Sequence, residues 1–236
     1  MLRILVVALV LLVAAMLLLP RPAGPPPEPA NATVLPQRPA LPAFALQDTT
    51  GEPFTNEDLE GQFSLMFFGF TNCPDVCPIT LQILAATLDR LKPSAAEGGA
   101  AASEGAPGDA APPEVVFVSV DPNRDTPAKI RDYVRNFDPS FTGVTASDEA
   151  LAPLLKALGV TVEKHEHEGE NYNVVHNGTV YFIGPRAEWL AVSSPPLEPA
   201  TLAADFEKIR DWYLRSAGRA QAPSAAGERV AAAAAR

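Results

Sequence analysis

The spacing of hydrophobic positions changes several times along the chain, and each change marks an element. Ile4 to Leu19 is one unbroken apolar run, with Arg3 before it and Pro20-Arg21 after it. At 1.5 Å per residue the run spans roughly 24 Å, short of the roughly 30 Å hydrocarbon core, so Leu2, Pro20 and snorkelling arginines would complete a crossing. Residues 1–20 therefore read as a single N-terminal transmembrane helix, its positive end cytoplasmic and the remainder exported. A cleaved signal peptide is the rival reading, and it too places the body outside the cytoplasm.

Residues 21–42 are rich in proline and lack a core-forming pattern, which predicts a semi-rigid spacer. The body starts at 43. "QFSLMFFGF", Gln62 to Phe70, is short, aromatic and continuously apolar, as a strand buried on both faces must be. Leu81, Leu84, Leu88 and Leu91 then recur at helical spacing, predicting a helix from about Pro78 to Leu91 with Pro78 in its first turn. "EVVFVSV" is a second buried strand. "DPNRDTPAKIRDYVRNF" is a turn and a helix, capped by Thr126 with Pro127 at its first position.

"GVTAS" reads as a short strand, Glu149 to Leu158 as a helix, "GTVYFIG" and "EWLAVSS" as a strand pair, and Pro199 to Arg215 as a closing helix. Strands alternating with helices define an α/β layer architecture for residues 43–216, with the central sheet flanked by helices. Two stretches stand outside this pattern. Residues 94–113 are a low-complexity insertion, and the Ala-rich 217–236 has too few large apolar residues to bury and reads as a disordered tail.

Composition narrows the function. Lys plus Arg number 18 against 28 Asp plus Glu, a formal charge of -10, which leaves no electrostatic footprint for nucleic acid. The chain has only two cysteines and three histidines. Cys73 and Cys77 lie in "GFTNCPDVCPIT", between the first buried strand and its helix. A disulfide closing so short a loop would remove little chain entropy, whereas helix N-terminal N–H groups favour a thiolate there. The C-x-x-x-C spacing is one residue wider than a thioredoxin-type redox pair. Two readings stay open: a redox couple, or two soft ligands suited to Cu(I) that need a third ligand from elsewhere.

His165 and His167 lie in "EKHEHEGE", where the surrounding glutamates and Gly169 favour a solvated turn over a metal role. His176 follows Val174-Val175 and precedes an apolar strand, near enough to the interior to approach the cysteine loop. It is either a hydrogen-bonded structural histidine or a ligand. Asp121, Asp125 and Thr126 organise a turn and cap a helix, although Asp121 could also serve the cysteine loop as a charge partner.

"GFTNCPDVCP", then "VSVDPNRDTP", then a lone histidine before "GTVYFIG", together resemble the SCO/SenC family of membrane-anchored copper proteins over about Pro42 to Arg215. The resemblance implies a thioredoxin-like fold and a copper-ion site made by Cys73, Cys77 and His176. It also implies a metallochaperone acting on the binuclear copper site of cytochrome c oxidase, whose copper-site subunit is then the partner. The domain would stand on the periplasmic face of the bacterial inner membrane. The alternative is a thiol-disulfide oxidoreductase that uses Cys73 and Cys77 as redox-active groups and reduces the cysteines of that site or of other exported proteins. Family members usually carry an acidic residue just before the histidine and a small hydroxyl residue just after it. This chain has Val175 and Asn177 there, which changes the partners that would orient the imidazole.

Overall fold

The sheet is built around strand β4 (Ser64–Gly69), whose six residues are all buried. In the computed structural model, which describes residues 25–92, 111–166, 172–176 and 178–220, β4 pairs in parallel with β5 (Glu114–Ser119) from Ser64↔Glu114 to Gly69↔Ser119. A second parallel ladder joins β5 to β6 (Thr142–Thr145). β9 (Val180–Gly184) lies antiparallel on the other side of β4, and β10 (Glu188–Ser193) lies antiparallel to β9. β1 (Thr33–Val34) extends that edge. β2 (Ala45–Asp48) and β3 (Pro53–Thr55) close the other edge, giving the order β1-β10-β9-β4-β5-β6-β2-β3. A separate two-stranded ladder is formed by β7 (Val162–Glu166) and β8 (Tyr172–His176).

Helix α1 (Val76–Leu91) joins β4 to β5 and buries Cys77, Leu81, Leu84 and Leu88 at helical spacing. Helix α2 (Pro127–Arg135) joins β5 to β6. As its sequence predicts, Thr126 caps it by accepting the Lys129 N–H, and Pro127 occupies the first position. Helix α3 (Asp148–Leu158) starts at Ser147, whose side chain accepts the Ala150 N–H, and stops at Gly159 with φ of 65°. Helix α4 begins at Pro199 and runs to Ala220. This is the mixed-sheet, helix-flanked architecture of thioredoxin-like α/β proteins. Phe67, Phe68, Phe117, Tyr181, Phe182 and Phe206 are among its largest fully buried side chains, each contributing about 1.5–3 kcal/mol of transfer free energy.

Three sequence expectations change. The stretch read as a spacer up to residue 42 joins the sheet, because β1 pairs with β10 and Leu41 is buried. A buried side chain adds to that hold: the carboxylate of Asp205 of α4 accepts the N–H groups of Ala30, Asn31 and Ala32 at 2.7, 2.8 and 2.9 Å. Backbone pairing and a carboxylate do there what apolar periodicity does elsewhere, so no hydrophobic pattern announces the element. "EKHEHEGE" is not wholly a turn, since His165 lies within β7, opposite Asn173 of β8. Third, α1 starts two residues before Pro78 and includes Cys77. A proline in the first turn costs no hydrogen bond, because the N–H it lacks has no intrahelical partner there.

Among the described residues no helix is long and apolar enough to cross a membrane. The anchor read at 1–20, most of the insertion at 94–113, His167, Asn177 and the tail beyond 220 lie outside the described residues, whereas 217–220 continue α4.

Candidate functional site

Cys73 and Cys77 stand past the C-terminal end of β4, where open α/β sheets place their ligands. β4 has to end in glycine there. A Cβ on Gly69 would lie 2.9 Å from Cys77 Sγ and 2.8 Å from the Phe117 ring, so the sulfur packs directly against the strand backbone. Cys77 is fully buried in the first turn of α1, and Cys73 is half-buried on the turn before it. Neither is in a disulfide. The Cys77 N–H points at Cys73 Sγ, 3.4 Å away, so a first-turn amide of the helix is spent on the outer sulfur. The inner thiol holds its proton tightly. Its hydrogen bond to Cys73 and its burial push the Cys77 pKa far up, and the negative charges of Cys73 and Asp125 add to this against an opposing hydrogen bond to the Phe70 backbone.

The turn carrying Cys73 is fastened by the second motif. Asp125, 1% exposed, accepts the Thr71 N–H at 2.8 Å and the Thr71 hydroxyl on its other oxygen, while Ser119 at the end of β5 donates its hydroxyl at 2.7 Å. Lys129 Nζ stands 3.6 Å from the same carboxylate and donates to Asn72 Oδ1 at 2.9 Å, one residue before Cys73. Asp121 pairs with Arg124, whose guanidinium lies over the Phe70 ring at 5.8 Å. The "DPNRDTP" motif thus does more than make a turn and cap α2. Asp125 reaches the cysteine loop through hydrogen bonds, and the Thr71 hydroxyl is turned to it.

Tyr133 of α2 completes the buried side of the cluster. Its ring packs on Phe117 at 5.8 Å between centroids, and its hydroxyl is buried with no hydrogen-bond partner among the described residues. Burial raises its pKa, and the charges of Cys77, Cys73 and Asp125 act in the same direction. Sequence reasoning missed Tyr133, Gly69 and Lys129; the stop of an all-buried strand at glycine, directly before the cysteine loop, was the available signal for Gly69.

His176 ends β8, with its backbone paired to Val162. Its side chain, like that of His165, lies outside what the structure describes. Its chain neighbourhood does reach the cysteine helix, because a Cβ on Gly178 would lie 2.8 Å from Val76 Cγ1, in the turn that holds Cys77. Val76 and Ile79 of that turn are 41% and 51% exposed, large apolar side chains facing solvent beside the thiols. No cluster of three or more His, Cys, Asp or Glu able to hold a metal occurs among the described residues. Among the described side chains the donors at this site are two adjacent sulfurs, one half-buried and one buried, a pair that suits a soft monovalent ion or thiol exchange.

A mixed sheet of this order, flanked by helices, defines a thioredoxin-like protein, and this one carries a C-x-x-x-C turn at the end of its central strand. The model of the SCO1/SenC family matches residues 33–211, and the chain belongs to that family. It is 36% identical over 148 residues to human "Protein SCO1 homolog, mitochondrial", a match covering 62% of this chain and 45% of the human protein. The chain thus accounts for less than half of that relative's length. Among solved structures, Arabidopsis thaliana ScoI with copper bound aligns at TM-score 0.62 and 29% identity, covering 72% of this chain and 98% of that one. Yeast Sco1 with copper bound aligns at TM-score 0.64 and 27% identity, covering 79% and 97%.

Proposed function

We propose that this protein is a copper metallochaperone that binds the ion through Cys73, Cys77 and His176 and delivers it to the binuclear copper site of cytochrome c oxidase. Copper is the cargo, passed by ligand exchange to thiols of the copper-site subunit. The observation that carries the reading is the junction of two chain regions on one helical turn. Cys73 lies on the turn that leads into α1 and Cys77 in its first turn, and Gly178, two residues past His176, packs against Val76 of that first turn. Membership of a family whose solved members include copper-bound forms supports the same assignment.

In this role Cys77 gives up its proton to the medium as the ion arrives, and the Cys77 N–H supports the sulfur of Cys73. Residues 1–20 anchor the chain in the inner membrane and leave the domain on the periplasmic face, where the partner site is assembled. Val175 and Asn177, in place of an acid and a small hydroxyl residue, leave the imidazole to other orienting groups.

Cuprous ion titration of the reduced chain, in competition with a chromophoric chelator, tests the proposal. Cys73→Ala and Cys77→Ala each weaken binding by more than about a hundredfold, since outer partners of a ligand alone are worth roughly 10–100-fold. His176→Ala weakens it by less. Undiminished affinity in all three variants would sink the reading.

One observation favours a second reading, a thiol-disulfide reductase: the outer sulfur is accessible and supported by an amide, while the inner thiol is buried and protonated. Cys73 would attack a partner disulfide, releasing one partner thiolate. Cys77 would then lose its proton and displace the second, leaving a Cys73–Cys77 disulfide and two electrons on the partner. That chemistry needs no histidine, so reductase activity surviving in His176→Ala together with weak copper binding would select it.

A further inference from the structure

We infer that Asp125 is a positioning residue for the thiol pair, acting through Thr71 to fix where Cys73 presents its sulfur. The inference deepens the copper reading and rests on it for the identity of the ion, though not for the geometry. The carboxylate is almost wholly buried, yet its hydrogen bonds go to the cysteine turn and to the strand end beneath it. Both hydrogen-bond donors of Thr71, N–H and hydroxyl, are held by the two oxygens, and Ser119 braces the carboxylate from β5. Thr71 is two residues from Cys73, and the intervening Asn72 is held from the same side by Lys129. Below the turn, the Val120 N–H binds the Gly69 carbonyl at 2.9 Å and ties the ends of β4 and β5 together. The turn is therefore gripped at consecutive residues. Of the two cysteines, Cys77 takes its position from the helix and from Gly69, whereas Cys73, whose N–H meets the Phe70 carbonyl at 3.3 Å, rides on the gripped turn.

A fold-stabilising aspartate at the start of α2 could cap its own helix, but Thr126 does that, leaving Asp125 to point across to β4. The consequence is specific. Loosening Thr71 leaves Cys77 in place and lets Cys73 wander from the Cys77 N–H, lowering the fraction of molecules in which both sulfurs meet one ion or one partner sulfur.

The test uses the full reduced chain in detergent, with Thr71→Ala, Thr71→Ser, Asp125→Asn and the Thr71→Ala/Asp125→Asn double variant. Cuprous ion affinity is read by competition with bicinchoninate, and the Cys73–Cys77 disulfide equilibrium is read against glutathione. Thr71→Ala and Asp125→Asn each raise the cuprous dissociation constant about tenfold or more, as expected for losing a hydrogen bond to a charged group. Thr71→Ser stays within about twofold of the parent, and the double variant is no worse than about either single one, because both break one linkage. Should Asp125→Asn fail to fold, Thr71→Ala removes only a hydroxyl contact and carries the test. Lowered melting temperatures with affinity and disulfide equilibrium both unchanged in Thr71→Ala would overturn the inference. If the parent chain itself binds no cuprous ion, the copper reading falls, and the glutathione equilibrium alone decides on Asp125, a shift in Thr71→Ala but not in Thr71→Ser upholding it.

Discussion

Asp205 and Asp125 are two buried carboxylates that do the same thing with opposite consequences. Each accepts three hydrogen bonds and each pins a segment remote in sequence to the body: Asp205 holds Ala30 to Ala32, and Asp125 holds Thr71. The Asp205 clamp closes on backbone N–H groups at the entry to β1, with no thiol or metal ligand in reach of its hydrogen bonds. The Asp125 clamp closes on the turn that bears Cys73, and its charge helps hold the proton on Cys77. A buried charge that is fully hydrogen-bonded is thus a structural device in one place and part of a reactive cluster in the other. What separates them is the neighbourhood. Around Asp125 lie a proton-retaining thiol and a tyrosine hydroxyl with no hydrogen-bond partner among the described residues, the kind of local disagreement that folds tolerate at working sites.

The largest effect expected is at Asp205. Asp205→Ala strands three amide donors and loosens the entry to β1, lowering unfolding free energy by about 3 kcal/mol or more, read by urea denaturation. Its cuprous affinity, measured below the unfolding transition, equals that of the parent, and a matching loss of affinity would erase the distinction between the clamps. Gly69→Ala comes next. The new Cβ must displace Cys77 Sγ or Phe117, costing roughly 1–3 kcal/mol and, unlike the Asp205 change, weakening copper binding as well. Stability lost with binding intact would show that the sulfur does not depend on that contact.

The smallest effect is at a third, less buried carboxylate. Burial alone would raise the Asp138 pKa, but hydrogen bonds from the Ser140 hydroxyl and N–H and the charge of Lys92 outweigh it and hold the group below its usual range. A depressed folded-state pKa contributes stability above the unfolded value, about 3.9, that is lost as pH falls through the folded one. Asp138→Asn should therefore cost less than about 1 kcal/mol at neutral pH, the difference from the parent vanishing in acid. A constant difference across the acid titration would contradict this.

Much of this molecule can be read from local pattern. β4, β5, β9, β10, the core face of α1 and the Thr126-Pro127 start of α2 each carry their signal within a few residues, and the structure has them where the pattern puts them. The cysteine turn is equally local. What could not be read depends on partners far away in the chain. Asp205 meets its segment across more than 170 residues, and Asp125 meets Thr71 across 54, so neither leaves a spacing to detect. β7 defeated the reading for a related reason: "EKHEHEGE" has no apolar side chain to alternate with its polar ones, and only its pairing with β8 makes a strand of its first half. At Cys77 the bias of a residue before proline away from helix gave way to the first turn of α1, where proline fits without loss.

The central claim is that Cys73, Cys77 and His176 hold one copper ion between the start of α1 and the end of β8. Copper K-edge X-ray absorption of the full reduced chain loaded with one equivalent of cuprous ion tests it most directly. The account predicts a first shell of two sulfurs and one nitrogen, with one sulfur lost in Cys73→Ala or Cys77→Ala and the nitrogen lost in His176→Ala. A first shell of nitrogen and oxygen alone, or one that none of the three substitutions alters, would contradict it.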